Sequence, residues 1–252
     1  MDPLKVIQIS DPHLFGDPAG VLRDVVTRQS LRAVLTHIIQ HEAPFDVVVV
    51  TGDLAQDESE PAYAALAQML AVLELPVLCL PGNHDDPKWL NAHLNTQPLS
   101  CAPLHRFGMW DFHLLNTRVV GEVYGRIDRA ELDALGDRLS QSHKDRYSAV
   151  WLHHPPFAVG SRWLDDSCLQ EAQGFLDLCH DAKQVRAIFC GHVHQSFESK
   201  HGNMLLASAP STCAQFRPQS DDYALDDRPP GYRVSQFYAD GSVESEARWL
   251  VD

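Results

Sequence analysis

The chain has 252 residues, of which 44% are hydrophobic and 21% are charged, and its formal net charge at pH 7 is −14. These proportions, without a long Gly/Ser/Pro linker or a charge run, predict one folded domain over residues 1–252. The acidic balance argues against a docking surface for DNA, RNA or anionic lipid, because those partners require patches of Lys and Arg. An acidic protein can still handle a phosphate ester if metal ions supply the positive charge.

Cysteine usage and the first residues bear on the cellular compartment. The six cysteines are scattered without a CxxC spacing, so they are expected to be reduced thiols, most of them buried. The first residues enter an apolar run without the basic and apolar regions of a signal peptide. No apolar segment approaches the roughly 18 residues that are needed to span a bilayer. The sequence therefore predicts a cytoplasmic protein that does not enter a membrane.

Strands and helices are predicted to alternate in the first third of the chain. Residues 4–9, 45–50 and 76–80 are short apolar runs typical of buried strands. Between them, residues 25–41 and 59–73 space their apolar side chains at helical intervals, and the second helix starts at a serine suited to an N-cap. Each of the three strands runs directly into a polar turn.

The alternation continues and then gives way to strands alone. Paired strands are predicted at 104–107 and 111–115 around Gly108, helices at 129–141 and 171–179, strands at 148–152 and 185–190, and late strands at 203–207, 233–238 and 243–249. The last two are expected to form a hairpin across Asp240 and Gly241. This order of elements predicts an α/β sandwich with mixed sheets.

Polar clusters stand directly after five of the predicted strands. The five blocks are Asp11-x-His13, Gly52-Asp53, Gly82-Asn83-His84, His153-His154 and Gly191-His192-x-His194. Any one of them alone is typical of an ordinary turn or loop. Core packing gives no reason for Asp, Asn and His to collect at five strand ends, whereas ligands that converge on a rigid scaffold require it. Carboxylate and imidazole donors without thiolate suit Fe, Mn, Co or Zn, so the blocks together predict a metal site.

The five blocks resemble the signature of the calcineurin-like metallophosphoesterases, and the resemblance covers nearly the whole chain. Residues 153–156 with 163–165, and residues 210–216 with 229–233, resemble segments of the bacterial class III cyclic nucleotide phosphodiesterases that cleave 3′,5′-cyclic AMP. The resemblance implies the metallo-dependent phosphatase fold, a four-layer α/β/β/α sandwich with two mixed β-sheets. It also implies hydrolysis of 3′,5′-cyclic AMP to 5′-AMP.

The resemblance further implies two metal ions, expected to be Fe and Mn, with Zn or Co as alternatives. Carried over residue by residue, it assigns Asp11, His13 and His194 to one ion, Asn83, His153 and His192 to the other, and Asp53 to the position between them. Two ions about 3.5–4 Å apart can hold a hydroxide that attacks phosphorus in line with the leaving oxygen.

His84 has a separate role in the family, because it faces the substrate phosphate instead of a metal ion. There it can stabilise developing charge or protonate the leaving oxygen, so His84 and Asn83 are predicted to be catalytic. The residues expected to contact the substrate are His13, Asn83, His84 and His194. Related phosphatases orient this histidine with an Asp three residues after the bridging Asp. This chain has Gln56 there and Asp57 one residue further on, so the orienting carboxylate is missing from its usual place.

Three neighbouring residues have two interpretations each. His154, beside the predicted ligand His153, either supports the site from behind or serves the fold. Trp163 and Phe216 either stack on a nucleobase or pack into the core. The sequence alone does not separate these interpretations.

Other functions fit parts of the same pattern. The motifs do not distinguish 3′,5′-cyclic AMP from 2′,3′-cyclic nucleotides, glycerophosphodiesters or phosphomonoesters, because flanking segments such as 160–168 and 215–228 decide the substrate. A non-catalytic binding module on this fold is expected to have lost metal-ligating residues. In this chain every such position holds a residue of the expected type. A nuclease for polymeric nucleic acid is disfavoured by the acidic charge. The expected partner is therefore a small phosphodiester, and the late strands with residues 221–230 could form a homodimer contact.

Overall fold

The computed structural model describes residues 2–250. The strands are β1 (Leu4–Ile9), β2 (Val21–Leu22), β3 (Val25–Val26), β4 (Val47–Thr51), β5 (Val77–Leu80), β6 (Leu99–Ser100), β7 (Leu104–Phe107), β8 (Trp110–Leu114), β9 (Tyr147–Trp151), β10 (Val185–Cys190), β11 (Phe197–His201), β12 (Met204–Ser208), β13 (Gln215–Phe216), β14 (Leu225–Asp226), β15 (Gly231–Phe237) and β16 (Val243–Trp249). The helices are α1 (Thr27–His41), α2 (Glu60–Ala71), α3 (Pro87–His93), α4 (Arg129–Gln141), α5 (Arg162–Asp165) and α6 (Gln173–Asp181).

Most of the strands belong to two six-stranded mixed sheets. The first has the order β16-β15-β1-β4-β5-β6, in which β1, β4, β5 and β6 are parallel and β15 pairs antiparallel with both neighbours. The second has the order β11-β12-β10-β9-β8-β7, with a parallel centre and antiparallel strands at both edges. The predicted mixed sheets are therefore confirmed.

The two sheets pack face to face, and helices cover their outer faces. Along β4, Val47 and Val49 join a buried cluster with Trp110 and Phe189 of the second sheet, while Val48 packs on the other side against α1 and α2. This alternation follows from the two-residue period of a strand and explains why both faces of β4 are apolar. The outer face of the second sheet packs against α4 and α6. The layers are thus α/β/β/α, as the resemblance implied.

Side-chain hydrogen bonds cap the N-termini of two helices. The Asp128 carboxylate accepts a hydrogen bond from Glu131 N at the start of α4, and the Asp86 carboxylate accepts one from Lys88 N at the start of α3. Both are side-chain caps of otherwise unpaired backbone amides. Ser59 does precede α2, but its hydroxyl donates to Asp57 Oδ1 (2.7 Å) and makes no cap hydrogen bond.

Some predicted bounds were wrong. The first helix begins at Thr27 instead of residue 25, because β3 pairs with β2 across Arg23 and Asp24, whose φ angles are 51° and 64°. Two consecutive residues with positive φ form a tight two-residue turn, whose twist matches the right-handed twist of the paired strands. Helix α6 spans Gln173–Asp181 where residues 171–179 were predicted. The short elements α3, α5, β6, β13 and β14 were not predicted, because they are too short to show a period.

All six cysteines are free thiols, and five of them are buried, which agrees with the prediction of reduced cysteines. Across residues 2–250, no helix combines the length and the apolar character that a membrane crossing requires.

Candidate metal centre and active site

All five polar blocks converge at one edge of the sandwich. Asp11 follows β1, Asp53 follows β4, Asn83 follows β5, His153 follows β9 and His192 follows β10. Because these strands are parallel within each sheet and the two sheets pack together, their carboxyl ends meet, as they do at ligand sites of α/β folds. The structure therefore brings together the seven predicted ligands from loops that are far apart in sequence.

The backbone in these loops is strained. Asp11, His13, Asp53, His192 and His194 all have φ between 45° and 69°, the left-handed region that side chains with a Cβ rarely adopt. Such strain costs of order 1–3 kcal/mol for each residue and persists where the surrounding structure enforces it. Its occurrence in five of the seven predicted ligands supports the prediction of a functional site at this edge.

Two glycines allow the loops to approach each other. A Cβ on Gly82 would lie 2.2 Å from Asp53 Oδ1, and a Cβ on Gly191 would lie 2.1 Å from Ser10 Oγ. Both distances are shorter than any tolerated contact, so no other residue fits without displacing the site. The glycines of the blocks are therefore required by close packing of neighbouring loops.

Three predicted ligands form one compact group. His13 Nε2 lies 3.1 Å from His194 Nε2, and His194 Nε2 lies 3.4 Å from Asp11 Oδ1. One donor atom from each of the three residues lies within 4.8 Å of the others. Their spacing suits donors that surround a single cation.

A second group lies on the other side of Asp53. His153 Nε2 is 3.2 Å from Asn83 Oδ1 and 3.3 Å from Asp53 Oδ1, while Asp53 Oδ2 is 3.6 Å from His13 Nε2. One oxygen of Asp53 thus faces each group, as the predicted bridging position requires. The His192 ring lies 5.1 Å from the His153 ring and closes the second group.

Hydrogen bonds behind the histidines decide which ring nitrogen faces the centre. His153 donates Nδ1–H to Thr51 O (2.8 Å), and His194 donates Nδ1–H to Ala214 O (2.7 Å). A carbonyl can only accept, so Nδ1 of each ring carries a proton and Nε2 is the nitrogen directed toward the cluster. This support of a ligand by a backbone carbonyl is typical of metal-binding histidines.

The donors as a set fit metal ions. Asp11 and Asp53 are buried carboxylates, 0% and 3% exposed, and no Lys or Arg side chain forms an ion pair with either within residues 2–250. His13 Nδ1 is buried without a hydrogen-bond partner. Two buried carboxylates close together, without a Lys or Arg partner, suit a site in which bound cations supply the positive charge.

The electrostatics of the protein groups point the same way. Burial opposes ionisation of Asp53, but the nearby His153 and His13 lower its pKa well below the ordinary value. Burial is the largest influence on His13 and His192, and it lowers the pKa of each to about 3, so these rings are neutral at pH 7. For His153, the Asp53 and Asp11 carboxylates outweigh burial and raise the pKa to about 9. Neutral imidazole is the form that binds a metal, and His153 must release its proton to do so.

His84 reaches this site from the Asn83 loop. Its backbone N–H donates to Asp53 Oδ1 (3.0 Å), and its ring lies 5.2 Å from the His13 ring. Its only side-chain partner among the described residues is Gln56, whose Nε2 lies 3.4 Å from His84 Nδ1. The carboxylate of Asp57 instead accepts hydrogen bonds from Gly16 N and from Ser59. An amide therefore takes the place of the orienting carboxylate.

His154 lies with His153 and His192 in a group that could hold a metal ion, but both of its ring nitrogens have hydrogen-bond partners. Its Nε2 lies 3.1 Å from Val123 O, which can only accept, and its Nδ1 lies 2.7 Å from the hydroxyl of Thr117. The ring therefore carries its proton on Nε2 and accepts from Thr117 on Nδ1. These contacts favour the supporting role for His154, and His153 stays the predicted ligand of the pair.

Sequence reasoning missed Asp85, which joins two of the loops. Its buried carboxylate accepts hydrogen bonds from Gly82 N (2.8 Å), Leu54 N (3.0 Å) and Tyr63 Oη (2.9 Å). Burial, followed by the charge of Asp53, raises its pKa to about 7 although these donors stabilise the anion. The signal was an acid directly after the Gly-Asn-His block, and its partner residues lie up to 31 positions away.

The ligand groups open into a cavity of about 190 Å³. Arg23, Trp163, Ser167 and Phe216 also line this cavity. Phe216 is 6% exposed and stacks on the His194 ring at 4.5 Å, so it packs against a predicted ligand. The Arg23 guanidinium lies 5.1 Å from the Phe216 ring and donates to the Tyr223 hydroxyl. Arg23 was not predicted as a site residue, because a single exposed arginine in a turn carries no motif.

Two mixed sheets in an α/β/β/α sandwich, with Asp, Asn and His side chains gathered at the carboxyl ends of their strands, define the class of metallo-dependent phosphatases. Solved structures of this class share the fold: a dimetal phosphatase from Danio rerio matches with a TM-score of 0.64 at 16% identity, covering 98% of this chain and 99% of that one. Purple acid phosphatase PPD1 from yellow lupin matches with a TM-score of 0.65 at 14% identity, covering 97% of this chain and 51% of that one.

The chain belongs to the calcineurin-like phosphoesterase family, whose sequence model matches residues 4–196. It is 36% identical, over 249 residues, to the 3′,5′-cyclic adenosine monophosphate phosphodiesterase CpdA of Vibrio vulnificus, covering 98% of this chain and 90% of that protein. It is 34% identical, over 250 residues, to the enzyme of the same name from Escherichia coli K12, covering 99% and 90%. A 3′,5′-cyclic-nucleotide phosphodiesterase of Nostoc is also 34% identical, covering 95% and 90%.

Proposed function

We propose that the protein is a metal-dependent phosphodiesterase that hydrolyses 3′,5′-cyclic AMP to 5′-AMP. The relatives named for this activity match along nearly their whole length, so the comparison spans their site and its flanking segments. The observation that carries the proposal is the position of Asp53, with one oxygen 3.3 Å from His153 Nε2 and the other 3.6 Å from His13 Nε2. A carboxylate that faces two groups of Asp, Asn and His donors suits a dinuclear centre.

We assign Asp11, His13 and His194 to one ion, Asn83, His153 and His192 to the other, and Asp53 to both. Two bound metal ions supply positive charge to the phosphate oxygens and a water molecule acidic enough to act as nucleophile. The protein holds the donors rigidly through the strained loops, so that little reorganisation is needed during the reaction. Fe and Mn are the ions that we propose, with Zn and Co as alternatives.

The hydrolysis forms one P–O bond from water and breaks the bond between phosphorus and O3′ of the ribose. The departing O3′ needs a proton, and His84 is the group that we assign to provide it. Because the Gln56 amide lies 3.4 Å from His84 Nδ1, Nε2 is the ring nitrogen that is free to face the substrate. We assign Asn83, His13 and His194 to contact the phosphate oxygens.

The substrate reaches this centre through the cavity beside Arg23 and Trp163. Arg23 brings a guanidinium to an otherwise acidic protein, where it can pair with the anionic phosphate or stack on a base. Trp163 packs in T-shaped contacts with Phe216 at 4.9 Å and Tyr223 at 5.3 Å, and we assign this aromatic group to contact the nucleobase. A cytoplasmic location and a homodimer remain predictions of the sequence.

The test is a rate comparison on the Mn-loaded protein with 3′,5′-cyclic AMP, 2′,3′-cyclic AMP, a glycerophosphodiester and 4-nitrophenyl phosphate. We expect the highest kcat/KM for 3′,5′-cyclic AMP and a single phosphorus resonance of 5′-AMP in the product. High rates on the other esters without turnover of 3′,5′-cyclic AMP would refute the substrate and leave phosphoester hydrolysis intact. No turnover of any ester, with two ions bound, would contradict the enzymatic proposal altogether.

A further inference from the structure

The hydroxyl of Ser167 lies between a predicted ligand and the backbone of its own loop. Ser167 Oγ is 3.0 Å from His192 Nε2 and 2.8 Å from Leu164 O. A serine hydroxyl has one proton to donate and two lone pairs, whereas a backbone carbonyl can only accept. When the proton goes to Leu164 O, Ser167 Oγ is left to accept Nε2–H from His192.

His192 differs from the other supported ligands in this respect. His153 and His194 donate Nδ1–H to the backbone carbonyls of Thr51 and Ala214, and so face the cluster through Nε2. Within residues 2–250, His192 is the one predicted histidine ligand whose ring nitrogen is held by a side-chain hydroxyl. Its support can therefore be removed by a single substitution, and its free nitrogen is Nδ1.

We propose that Ser167 is a positioning residue that keeps the proton of His192 on Nε2 and thereby presents Nδ1 to the second metal ion. The inference rests on the proposed assignment of His192 as a ligand and does not depend on which phosphoester is hydrolysed. An acceptor behind a ligating histidine fixes its tautomer and raises the basicity of the other nitrogen.

The loop that carries Ser167 is itself braced. The Asp165 carboxylate accepts hydrogen bonds from Val159 N (2.7 Å) and Gly160 N (3.2 Å), and Leu164 is buried in a small apolar cluster. Trp163 and Ser167 of the same segment line the cavity. Ser167 therefore connects the wall of the substrate cavity to one side of the metal centre.

The experiment measures metal affinity, and it uses Ser167→Ala, Ser167→Thr and a matched control, Ser140→Ala. Ser140 makes the same local hydrogen bond, from its hydroxyl to the carbonyl three residues earlier (Asp137 O, 2.9 Å), but is exposed on α4. The full-length proteins are stripped with a chelator and titrated with Mn²⁺ by calorimetry. We expect two binding steps in the wild type.

In Ser167→Ala we expect one of the two steps to weaken by about tenfold or more, which is the effect of removing such a support in other metal sites. The step that weakens should be the one abolished in His192→Ala. Ser167→Thr, which keeps the hydroxyl, should restore wild-type affinity, and Ser140→Ala should leave both steps unchanged. In the Zn-loaded wild type, long-range ¹H–¹⁵N spectra should show His192 protonated on Nε2.

Unchanged affinities in Ser167→Ala, equal losses in Ser167→Thr, or a metal-bound Nε2 on His192 would overturn the proposal. A wild-type protein that binds no metal would overturn it as well. Normal metal binding without hydrolysis of 3′,5′-cyclic AMP would instead refute the proposed substrate. The metal affinities of the Ser167 variants would still test the role of Ser167.

Discussion

Nε2 of His13 lies 3.1 Å from Nε2 of His194, and both rings are more than nine-tenths buried. Because His194 commits its other nitrogen to Ala214 O, the pair directs at least one lone pair to a point between the rings. We expect Mn²⁺ to raise Tm, since an ion that binds only the native state stabilises it by about 2.7 kcal/mol at a hundredfold excess over Kd. Thermal unfolding with Mn²⁺ and with excess chelator measures this, and equal Tm values would speak against a metal centre.

Asp53→Ala should remove both ions and abolish turnover, because the two oxygens of Asp53 face both ligand groups. Elemental analysis and an assay on the purified variant measure the two effects. Asp57→Ala is the matched control, since Asp57 is an exposed carboxylate four residues away that contacts Gly16 and Ser59. Two ions and a normal rate in Asp53→Ala would refute the bridging role.

His84→Ala should separate chemistry from metal loading. We expect both ions to stay bound and kcat to fall by about 10²–10⁴-fold, the usual contribution of a positioned general acid. Gln56→Ala should cost less, about tenfold, because its 3.4 Å contact orients the ring without taking part in proton transfer. Loss of metal from His84→Ala would instead make His84 a ligand.

Metal affinity should rise with pH between 6.5 and 8.5. Burial disfavours the proton on His153, but Asp53 and Asp11 raise its pKa to about 9, so the metal-free protein carries that proton throughout this range. When the binding of an ion displaces one proton, the affinity for that ion rises about tenfold for each unit by which the pH increases. Calorimetry in buffers of different ionisation enthalpy should record the release of about one proton, and an affinity independent of pH would contradict the protonation of His153.

Asp85→Asn should destabilise the metal-free protein by about 2–4 kcal/mol, because an amide cannot accept from all the donors that the carboxylate serves. Those donors include Leu54 N, Gly82 N and Tyr63 Oη. Tyr63→Phe removes one donor and leaves the acceptor, so it should cost about 1 kcal/mol. Urea denaturation of both metal-free variants measures the difference, and equal losses would show that the tyrosine alone accounts for the network.

The sequence predicted those parts of the fold that carry a long period or a strong apolar run. The bounds predicted for α4, β1, β10 and β16 agree with the structure, as do the two mixed sheets. The β2–β3 hairpin was missed because each of its strands has two residues, and its turn has Arg23 and Asp24 where glycine or asparagine is usual.

For the site, the order of the five blocks was sufficient to predict which side chains meet. Their roles as ligands remain predictions, supported by the distances among them. Asp85 was missed although it directly follows the Gly-Asn-His block, and Ser167 was missed as well, because their contacts are with residues up to 31 and 25 positions away. Such contacts leave no local pattern, whereas a strand end followed by Asp or His does.

The pairing of β15 with β1 affects how the site is made during synthesis. Residues 4–8 pair with residues 233–237, and Thr212 N donates to Ser10 O at the foot of the Asp11 loop. A nascent chain that has passed His194 already contains all seven predicted ligands, but the strand and loop that brace Asp11 are still to be translated. Closing contacts over such sequence distances is entropically slow. We therefore expect the metal centre to assemble late, after residues 212–237 have been translated.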